Sequence, residues 1–276
     1  MDATAVVDLL IVPNLRASSM KASRLLKEGG GGCEFLLLNT PMEMEDILRE
    51  FAAERISCDE LIYEARRLDL IPEPSGSWDY FMRPILEALP RITETFPDLE
   101  IGCFGSREDE HASMDVSVRA ARLILRAILT EEVEVERWRE ALRVSLEVDE
   151  RAARREAETI LRKVGERTIC LSELGGRRLE RRLRGAGLDV KIRYVEEIYH
   201  FTPLAILKRK MASGFVGDGE LEELVRHHVE YVRSYIYRFG NRDRAHYEWE
   251  YDRIPWLRRR INRDEIELLD SLINEH

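Results

Sequence analysis

The fold is decided by residues 5–41, AVVDLLIVPNLRASSMKASRLLKEGGGGCEFLLLNTP, which hold two apolar runs separated by a segment of helix length. Residues 6–12 form a nearly unbroken apolar run, and residues 34–38 form another. Such runs are typical of strands that are buried on both faces of a sheet. Between them, Ser18 or Ser19 could cap an amphipathic helix that ends at a run of glycines. This stretch predicts a strand–helix–strand unit with parallel strands and a right-handed crossover.

The same pattern recurs along the chain. Further apolar runs of strand length occupy residues 99–104, 168–174 and 188–195, and amphipathic helical segments lie between them. The sequence therefore predicts an α/β fold: a mainly parallel sheet of about five strands flanked by helices, with a helical C-terminal extension. We place the boundary near residue 202, which gives an α/β core of residues 1–202 and an extension of residues 203–276.

Two helix starts are marked by capping patterns. Thr40 is followed by Pro41 and then by Glu43, which predicts a helix with Thr40 as its cap and proline in its first turn. Ser57, with Glu60 three residues later, has the spacing of a capping box. The two patterns predict two successive helices after the second strand.

Composition narrows the class of protein. The chain has 53 acidic and 43 basic residues, a net charge of −10, and no apolar run long enough for a membrane span. No secretory signal is recognisable, so we expect a cytoplasmic protein. Arginine and glutamate dominate the charged residues, a composition associated with thermophilic sources. The four cysteines are widely spaced, which indicates buried free thiols rather than a zinc site or disulfides: Cys33, Cys58, Cys103 and Cys170.

Candidate catalytic residues follow the predicted strands. Ligands of parallel α/β proteins bind beyond the carboxyl ends of the strands, where loops and helix N-termini meet. Residues 105–113, GSREDEHAS, are predicted to form a polar loop at one of these ends. The cluster could hold a divalent metal or supply an acid/base pair, although loops and first helical turns are often acidic without function. The candidate residues are Glu43, Glu108, His111, Glu173 and His200.

Two shorter patterns have both structural and functional interpretations. Glu197 and His200 have the spacing that places a carboxylate and an imidazole on one helix face, but the motif occurs only once, which favours a half-buried structural histidine. Gly175, Gly176 and Arg177 follow a predicted strand and open a helix, an arrangement that can bind an anion. This segment matches neither a dinucleotide-binding nor a Walker motif.

The C-terminal extension is rich in arginine and aromatic residues. Residues 233–263 hold nine arginines against four acids. Such residues can pack within the protein, anchor a protein or subunit interface, or, less favoured here, stack on nucleic-acid bases. Residues 246–252 alternate with a period of two, which indicates an edge strand. The interface candidates are Tyr235, Tyr237, Trp249, Tyr251 and Trp256.

One sequence segment, together with the order of the elements, resembles a known family. Residues 79–89, DYFMRPILEAL, precede the third strand in a chain whose order of elements resembles the TraB, ChaN and Tiki superfamily and its erythromycin-esterase relatives. That resemblance implies a metal-dependent hydrolase with a Gly-x-x-His motif after the first strand, an acid after the second and a late histidine. Here residues 12–15 read VPNL, Asn39 replaces the acid, and Ser172 and Glu173 occupy the late position. The resemblance thus implies a divergent or silent member.

Two functions remain open at this point. One is a binding or assembly module that acts through its C-terminal extension as a homo-oligomer or with a protein partner. The other is a metal-dependent or acid/base hydrolase whose site lies at the carboxyl ends of the strands.

Overall fold

The computed structural model describes residues 5–73 and 76–256. The strands are β1 (Val6–Ile11), β2 (Phe35–Pro41), β3 (Glu100–Gly105), β4 (Arg167–Ser172) and β5 (Asp189–Tyr194). The helices are α1 (Arg16–Gly29), α2 (Glu45–Ala52), α3 (Cys58–Arg67), α4 (Gly76–Leu86), α5 (Leu89–Thr95), α6 (Arg107–Thr130), α7 (Val135–Lys163), α8 (Gly176–Gly185), α9 (Pro203–Ser213), α10 (Asp218–Tyr231), α11 (Tyr237–Phe239) and α12 (Arg242–Arg253). A 3-10 turn at Met42–Met44 precedes α2, and a π-helical turn at Val232–Ile236 precedes α11.

The five strands form one parallel sheet in the order β3-β2-β4-β1-β5. Each strand overlaps one of the five predicted apolar runs, although β2 continues three residues beyond its run, so the predicted α/β fold is confirmed. In β1, Leu9 is opposite Cys170 of β4 on one side and Ile192 of β5 on the other. Because all strands run in the same direction, their carboxyl ends lie along one edge of the sheet.

Both faces of the sheet are covered by helices. Leu36 and Leu37 are neighbours in β2 and both are fully buried, yet they belong to two different hydrophobic clusters. Leu36 packs with residues of α1 to α5, whereas Leu37 packs with residues of α7 and α8. Since successive side chains of a strand point to opposite faces, this double burial explains why the strand sequences are continuously apolar.

The described chain divides into two compact units. The first contains the residues up to Met114 together with residues 147–197, and the second contains residues 115–146 and those from Ile198 onward. The core of the second unit brings Trp138 and Leu142 of α7 against Leu207 of α9 and Val225 of α10. The predicted boundary near residue 202 lies close to the end of the first unit, but residues 115–146 pack with the helices that follow that boundary.

No helix in the described ranges is both long enough and apolar enough to cross a membrane. All four cysteines are free, and Cys33, Cys103 and Cys170 are buried as predicted.

The predicted caps of α1 and α2 are wrong. Thr40 is fully buried, and its hydroxyl donates a hydrogen bond to the Cys103 thiol at 3.0 Å, so it ties β2 to β3 instead of capping a helix. The strand continues through Pro41 before the 3-10 turn begins. At α1, the helix already starts at Arg16, which leaves Ser18 and Ser19 inside the first turn as buried residues.

Two segments predicted as loop and strand are helical. Most of the predicted polar loop, residues 105–113, forms the start of α6, because three consecutive carboxylates in the first turn favour a helix N-terminus. The predicted edge strand, residues 246–252, lies inside α12. Here the side chain of Asn241 accepts a hydrogen bond from the Arg244 amide at 3.1 Å, which caps the helix. The predicted last helix, residues 262–273, lies outside the described residues.

The predicted capping box at α3 is confirmed. The Ser57 hydroxyl accepts a hydrogen bond from the Glu60 amide at 3.2 Å, and the Glu60 carboxylate accepts one from the Ser57 amide at 2.7 Å. Replacing Ser57 by alanine is expected to lower the free energy of unfolding by about 1 kcal/mol, since the Glu60 amide loses its hydrogen-bond acceptor. Urea unfolding followed by circular dichroism measures this, with Ser57→Asp as a control that keeps an acceptor. Equal stability of Ser57→Ala and wild type would contradict the role of the cap.

Candidate functional site

An acidic group lies at the carboxyl edge of the sheet, within the first unit. It consists of Asp109 and Glu110 in the first turn of α6, Glu156 in the middle of α7 and Glu173 directly after β4. We call these four residues the carboxyl cluster. They come from three elements that are distant in sequence, and they influence one another electrostatically.

The start of α6 is fixed by backbone and charge interactions. The amides of Asp109 and Glu110 both donate to the carbonyl of Ser106, at 3.1 Å each. Asp109 is buried, and its carboxylate lies 3.4 Å from Arg151 Nε and 3.6 Å from an Arg155 guanidinium nitrogen. Asp109 is thus held in place by ion pairs with two arginines of α7.

Glu156 lies on the buried side of α7. Ala153 and Ile160, its neighbours at helical spacing, are both buried, and Ile160 packs on the sheet. The side chain of Asn39, at the end of β2, forms a hydrogen bond with the Glu156 carboxylate. The carboxyl group of Glu156 therefore lies at the carboxyl edge of the sheet, although the buried side of α7 would be expected to carry an apolar residue at this position.

A glycine allows β2 and β3 to approach closely at their carboxyl ends, next to Asn39. The pairing of β2 and β3 shifts register between Leu38 and Pro41, and the two strands approach closely at Gly105. A Cβ atom at Gly105 would lie 2.8 Å from the Thr40 carbonyl oxygen and 3.2 Å from Asn39 Oδ1. Glycine therefore allows β3 to end beside Asn39, and α6 starts from this point.

Burial and mutual repulsion change the acidity of two carboxyl groups. Burial, together with repulsion from the neighbouring carboxylates of Glu173, Glu156 and Asp109, raises the pKa of Glu110 to about 8, and burial is the larger cause. Burial also raises the pKa of Glu156 to about 7, with added repulsion from Glu173 and Asp109, while the hydrogen bond from Asn39 opposes the shift. Both carboxyl groups therefore keep their protons to a higher pH than an ordinary glutamate does.

The cluster does not fit a metal ion. Within the described part of the chain, no three His, Cys, Asp or Glu side chains converge closely enough to ligate one ion. The divalent metal that the sequence allowed at this edge thus lacks a donor set among these residues, and we derive no chemistry from it.

Of the five candidate catalytic residues, the structure brings only Glu173 into the carboxyl cluster. Glu43 is exposed in the 3-10 turn before α2. Glu108 is also exposed and forms an ion pair with Arg155 at 2.6 Å. His111 lies one helical turn further along α6, where its Nε2 atom is 3.0 Å from the Asp69 carbonyl oxygen. Glu108 and His111 thus both take part in contacts outside the carboxyl cluster.

His200 belongs to the second unit, and its segment is not a helix. Residues 195–202 are irregular, so the predicted shared helix face of Glu197 and His200 is wrong. The His200 amide donates to Glu250 Oε1 at 2.8 Å, and its ring centre lies 5.4 Å from that of Trp249. Burial lowers the pKa of the His200 imidazole, so the ring is neutral at pH 7.

The predicted anion site has a structural role in this fold. Gly176 is buried at the start of α8, where an added Cβ would collide with the side chain of Ile11 in β1. Arg177 donates a hydrogen bond to the Tyr194 hydroxyl at 2.8 Å and pairs with Glu180 of its own helix at 3.6 Å. Gly175 precedes the helix as its N-cap and is exposed. The arginine charge is already compensated by a carboxylate.

The five aromatic interface candidates divide into buried and exposed residues. Tyr235 and Trp249 are buried in a cluster with Tyr231 inside the second unit, and Tyr251 is partly buried. Tyr237 and Trp256 are 62% and 60% exposed. Packing within the protein therefore accounts for Tyr235 and Trp249 and for part of Tyr251, whereas Tyr237 and Trp256 are accessible to a partner.

Comparisons of the chain with protein-family models, with curated proteins and with solved structures found no match. The fold and the cluster together define an α/β protein with an acidic site at the carboxyl edge of a parallel sheet. Glu110 and Glu156 were missed by the sequence interpretation. A signal existed for Glu156, since it lies among Ala153, Ala157 and Ile160 on the apolar side of a charged helix.

Proposed function

We propose that the protein is a hydrolase of the acid/base type, with Glu156 as general base and Glu110 as general acid. The supporting observation is the pair of carboxyl groups whose pKa values are raised to about 7 and about 8. A base is most effective when its pKa lies near the working pH, and an acid must still hold its proton there. Two neighbouring carboxyl groups with separated pKa values can divide these tasks between them.

The remaining residues have supporting roles. Glu173 is exposed and faces solvent beside the pair, so its negative charge raises both pKa values and would attract a polar or cationic part of a substrate. Asn39 hydrogen-bonds Glu156 and orients its carboxylate. A water molecule activated by Glu156 would attack the substrate, and Glu110 would protonate the leaving group.

The test is a pH–rate profile on p-nitrophenyl esters, phosphates and glycosides. We expect hydrolysis that peaks between about pH 7 and pH 8, because one carboxyl group must be ionised and the other protonated. Glu156→Gln should reduce the rate by about 100-fold or more, since removing a general base has effects of this size. Glu108→Gln is the matched control, because Glu108 lies in the same first turn of α6 but is exposed.

Two outcomes would contradict the proposal. One is the absence of hydrolysis above the buffer rate for all three substrate types between pH 6 and pH 9. The other is a Glu156→Gln variant that keeps the wild-type rate and pH profile.

The exposed aromatic residues of the second unit favour a second candidate function. We propose that Tyr237 and Trp256 contribute to a protein interface, either between copies of this chain or with a protein partner, because large exposed aromatics are common interface anchors. A double substitution to serine should lower the mass measured by light scattering. An unchanged mass of a folded double variant would remove this candidate, and nucleic acid remains the less favoured partner.

Kinship with the TraB, ChaN and Tiki superfamily also stays a proposal. The parallel order of the elements supports it, whereas VPNL at residues 12–15 and Asn39 differ from the metal-binding motifs.

We also propose a cytoplasmic location, because the four cysteines are free thiols and reducing compartments keep thiols in this state.

A further inference from the structure

The second unit contains a cavity of about 300 Å³. It lies among the segment before α9, α9 itself, α10 and α12, and it is separate from the carboxyl cluster in sequence and in unit. We call it the aromatic cavity. Its volume is at the small end of the range for ligand pockets, which suits a single ring system rather than an extended cofactor. The residues that determine its chemistry are His200, Glu230, Tyr231, Tyr235, Trp249 and Arg253.

Three aromatic side chains form the walls. Tyr231, Tyr235 and Trp249 are each at least nine-tenths buried, so their rings are held by the surrounding protein. The Tyr231 and Trp249 rings meet edge to face with centres 5.2 Å apart, and the Tyr231 and Tyr235 centres are 6.4 Å apart. Rigid aromatic faces that line a cavity favour a flat ligand that can stack on them.

The helix that carries two of these walls is distorted at the cavity. A π-helical turn at Val232–Ile236 follows Tyr231 and includes Tyr235. Such turns are rare and occur frequently at functional sites. Here the turn lies in the wall of the aromatic cavity.

The polar groups of the cavity include both donors and acceptors. Glu230 and Arg253 form an ion pair, and each is partly exposed, so the pair lies where the cavity meets solvent. The neutral His200 ring can donate from one nitrogen and accept at the other. Since the ion pair has no net charge, the site does not select a strongly charged ligand but a polar, neutral one.

We propose that the aromatic cavity binds a flat heteroaromatic molecule of the size of a nucleobase or nucleoside. Its ring would pack against the aromatic side chains that line the cavity, and its edge, which carries both hydrogen-bond donors and acceptors, would meet Glu230, Arg253 and His200. This site is independent of the proposed hydrolase, because its residues take no part in the carboxyl cluster.

Isothermal titration calorimetry of the full chain tests the proposal, with adenine and adenosine as probes and cyclohexanol as a nonaromatic control. We expect saturable one-to-one binding of at least one purine probe and at least ten-fold weaker binding of cyclohexanol. Leu224→Trp places a large side chain at the cavity lining and should weaken binding at least ten-fold. Leu129→Trp is the matched control, because Leu129 is 74% exposed on α6.

A second pair of variants tests the Glu230–Arg253 ion pair at the mouth of the aromatic cavity, without changing a buried apolar residue. Glu230→Gln should weaken purine binding, whereas Glu222→Gln should not, although Glu222 is also an exposed, arginine-paired glutamate of α10. Failure of both purines to bind at millimolar concentration would overturn the proposal. So would equal binding of cyclohexanol, or binding that neither Leu224→Trp nor Glu230→Gln changes.

Discussion

The substitution Glu110→Gln is expected to stabilise the protein at alkaline pH and to leave it nearly unchanged at pH 4.5. The pKa of Glu110 is about 8 in the folded protein against 4.5 for an unperturbed glutamate. Between these two values the folded state keeps a proton that the unfolded state has lost, so wild-type stability falls as the pH rises. Glutamine resembles the neutral acid and does not titrate. The gain above pH 8 should be on the order of 5 kcal/mol if the whole difference in pKa is expressed as stability.

Chemical unfolding at pH 4.5, 6, 7.5 and 9 measures this difference. Glu108→Gln is the matched control, because it removes a carboxylate two residues away that is exposed and paired with Arg155. The control should show no gain that grows with pH. A Glu110→Gln variant whose stability parallels that of the wild type at every pH would show that Glu110 is ionised in the folded protein.

The substitution Trp138→Ala is expected to destabilise the second unit by about 3–5 kcal/mol, since it removes a large buried side chain and leaves a cavity. Trp138 is 1% exposed and contacts the cluster formed by α6, α7, α9 and α10. The effect should appear as a lower unfolding midpoint in thermal or urea unfolding. It would also show that residues 115–146 are part of the helical unit, even though they precede β4 in the sequence.

Trp256→Ala is the matched control, because this tryptophan is 60% exposed and its removal should change stability by less than about 0.5 kcal/mol. If Trp138→Ala were as stable as Trp256→Ala, the core that joins α7 to the C-terminal helices would be refuted. For the same reason, truncation at the sequence-based boundary of residue 202 should expose Trp138 and yield an unstable fragment.

The strands could be predicted because they are buried on both faces. In β2, Leu36 and Leu37 pack into different clusters, so no polar residue is needed at alternate positions and the apolar run is conspicuous. Five such runs fixed the class of fold. The division into units could not be predicted, because it depends on contacts between Trp138 and residues that follow it by more than 60 positions, such as Leu207.

Local patterns failed where a tertiary contact used the same residue differently. Thr40 has the sequence of a helix cap, but its hydroxyl is buried against Cys103. The alternation of residues 246–252 suits a strand, yet His246 and Glu250 are also one helical turn apart and approach to 3.3 Å in α12. Residues four apart, such as His246 and Glu250, fit both a strand with a period of two and a helix with a period near four. The helix forms because Asn241 caps its N-terminus.

The candidate site was predicted in position but not in composition. The carboxyl edge of the sheet was expected to hold acids, and Glu173 lies there as predicted. Glu108 and Glu110 are indistinguishable in the sequence EDE, because only the rotation of α6 decides that one is exposed and the other enters the cluster. Glu156 is 17 residues before Glu173, and no short motif links them.

The most direct test of the central claim is a carbon-13 NMR titration of the glutamate side-chain carboxyl groups, with Glu110→Gln and Glu156→Gln used to assign the two signals. We expect two carboxyl groups to titrate near pH 7 and pH 8 in the wild type. Glu156→Gln should also lower the pKa of Glu110, because a repelling carboxylate is removed. Titration of every glutamate below pH 6 would contradict the account.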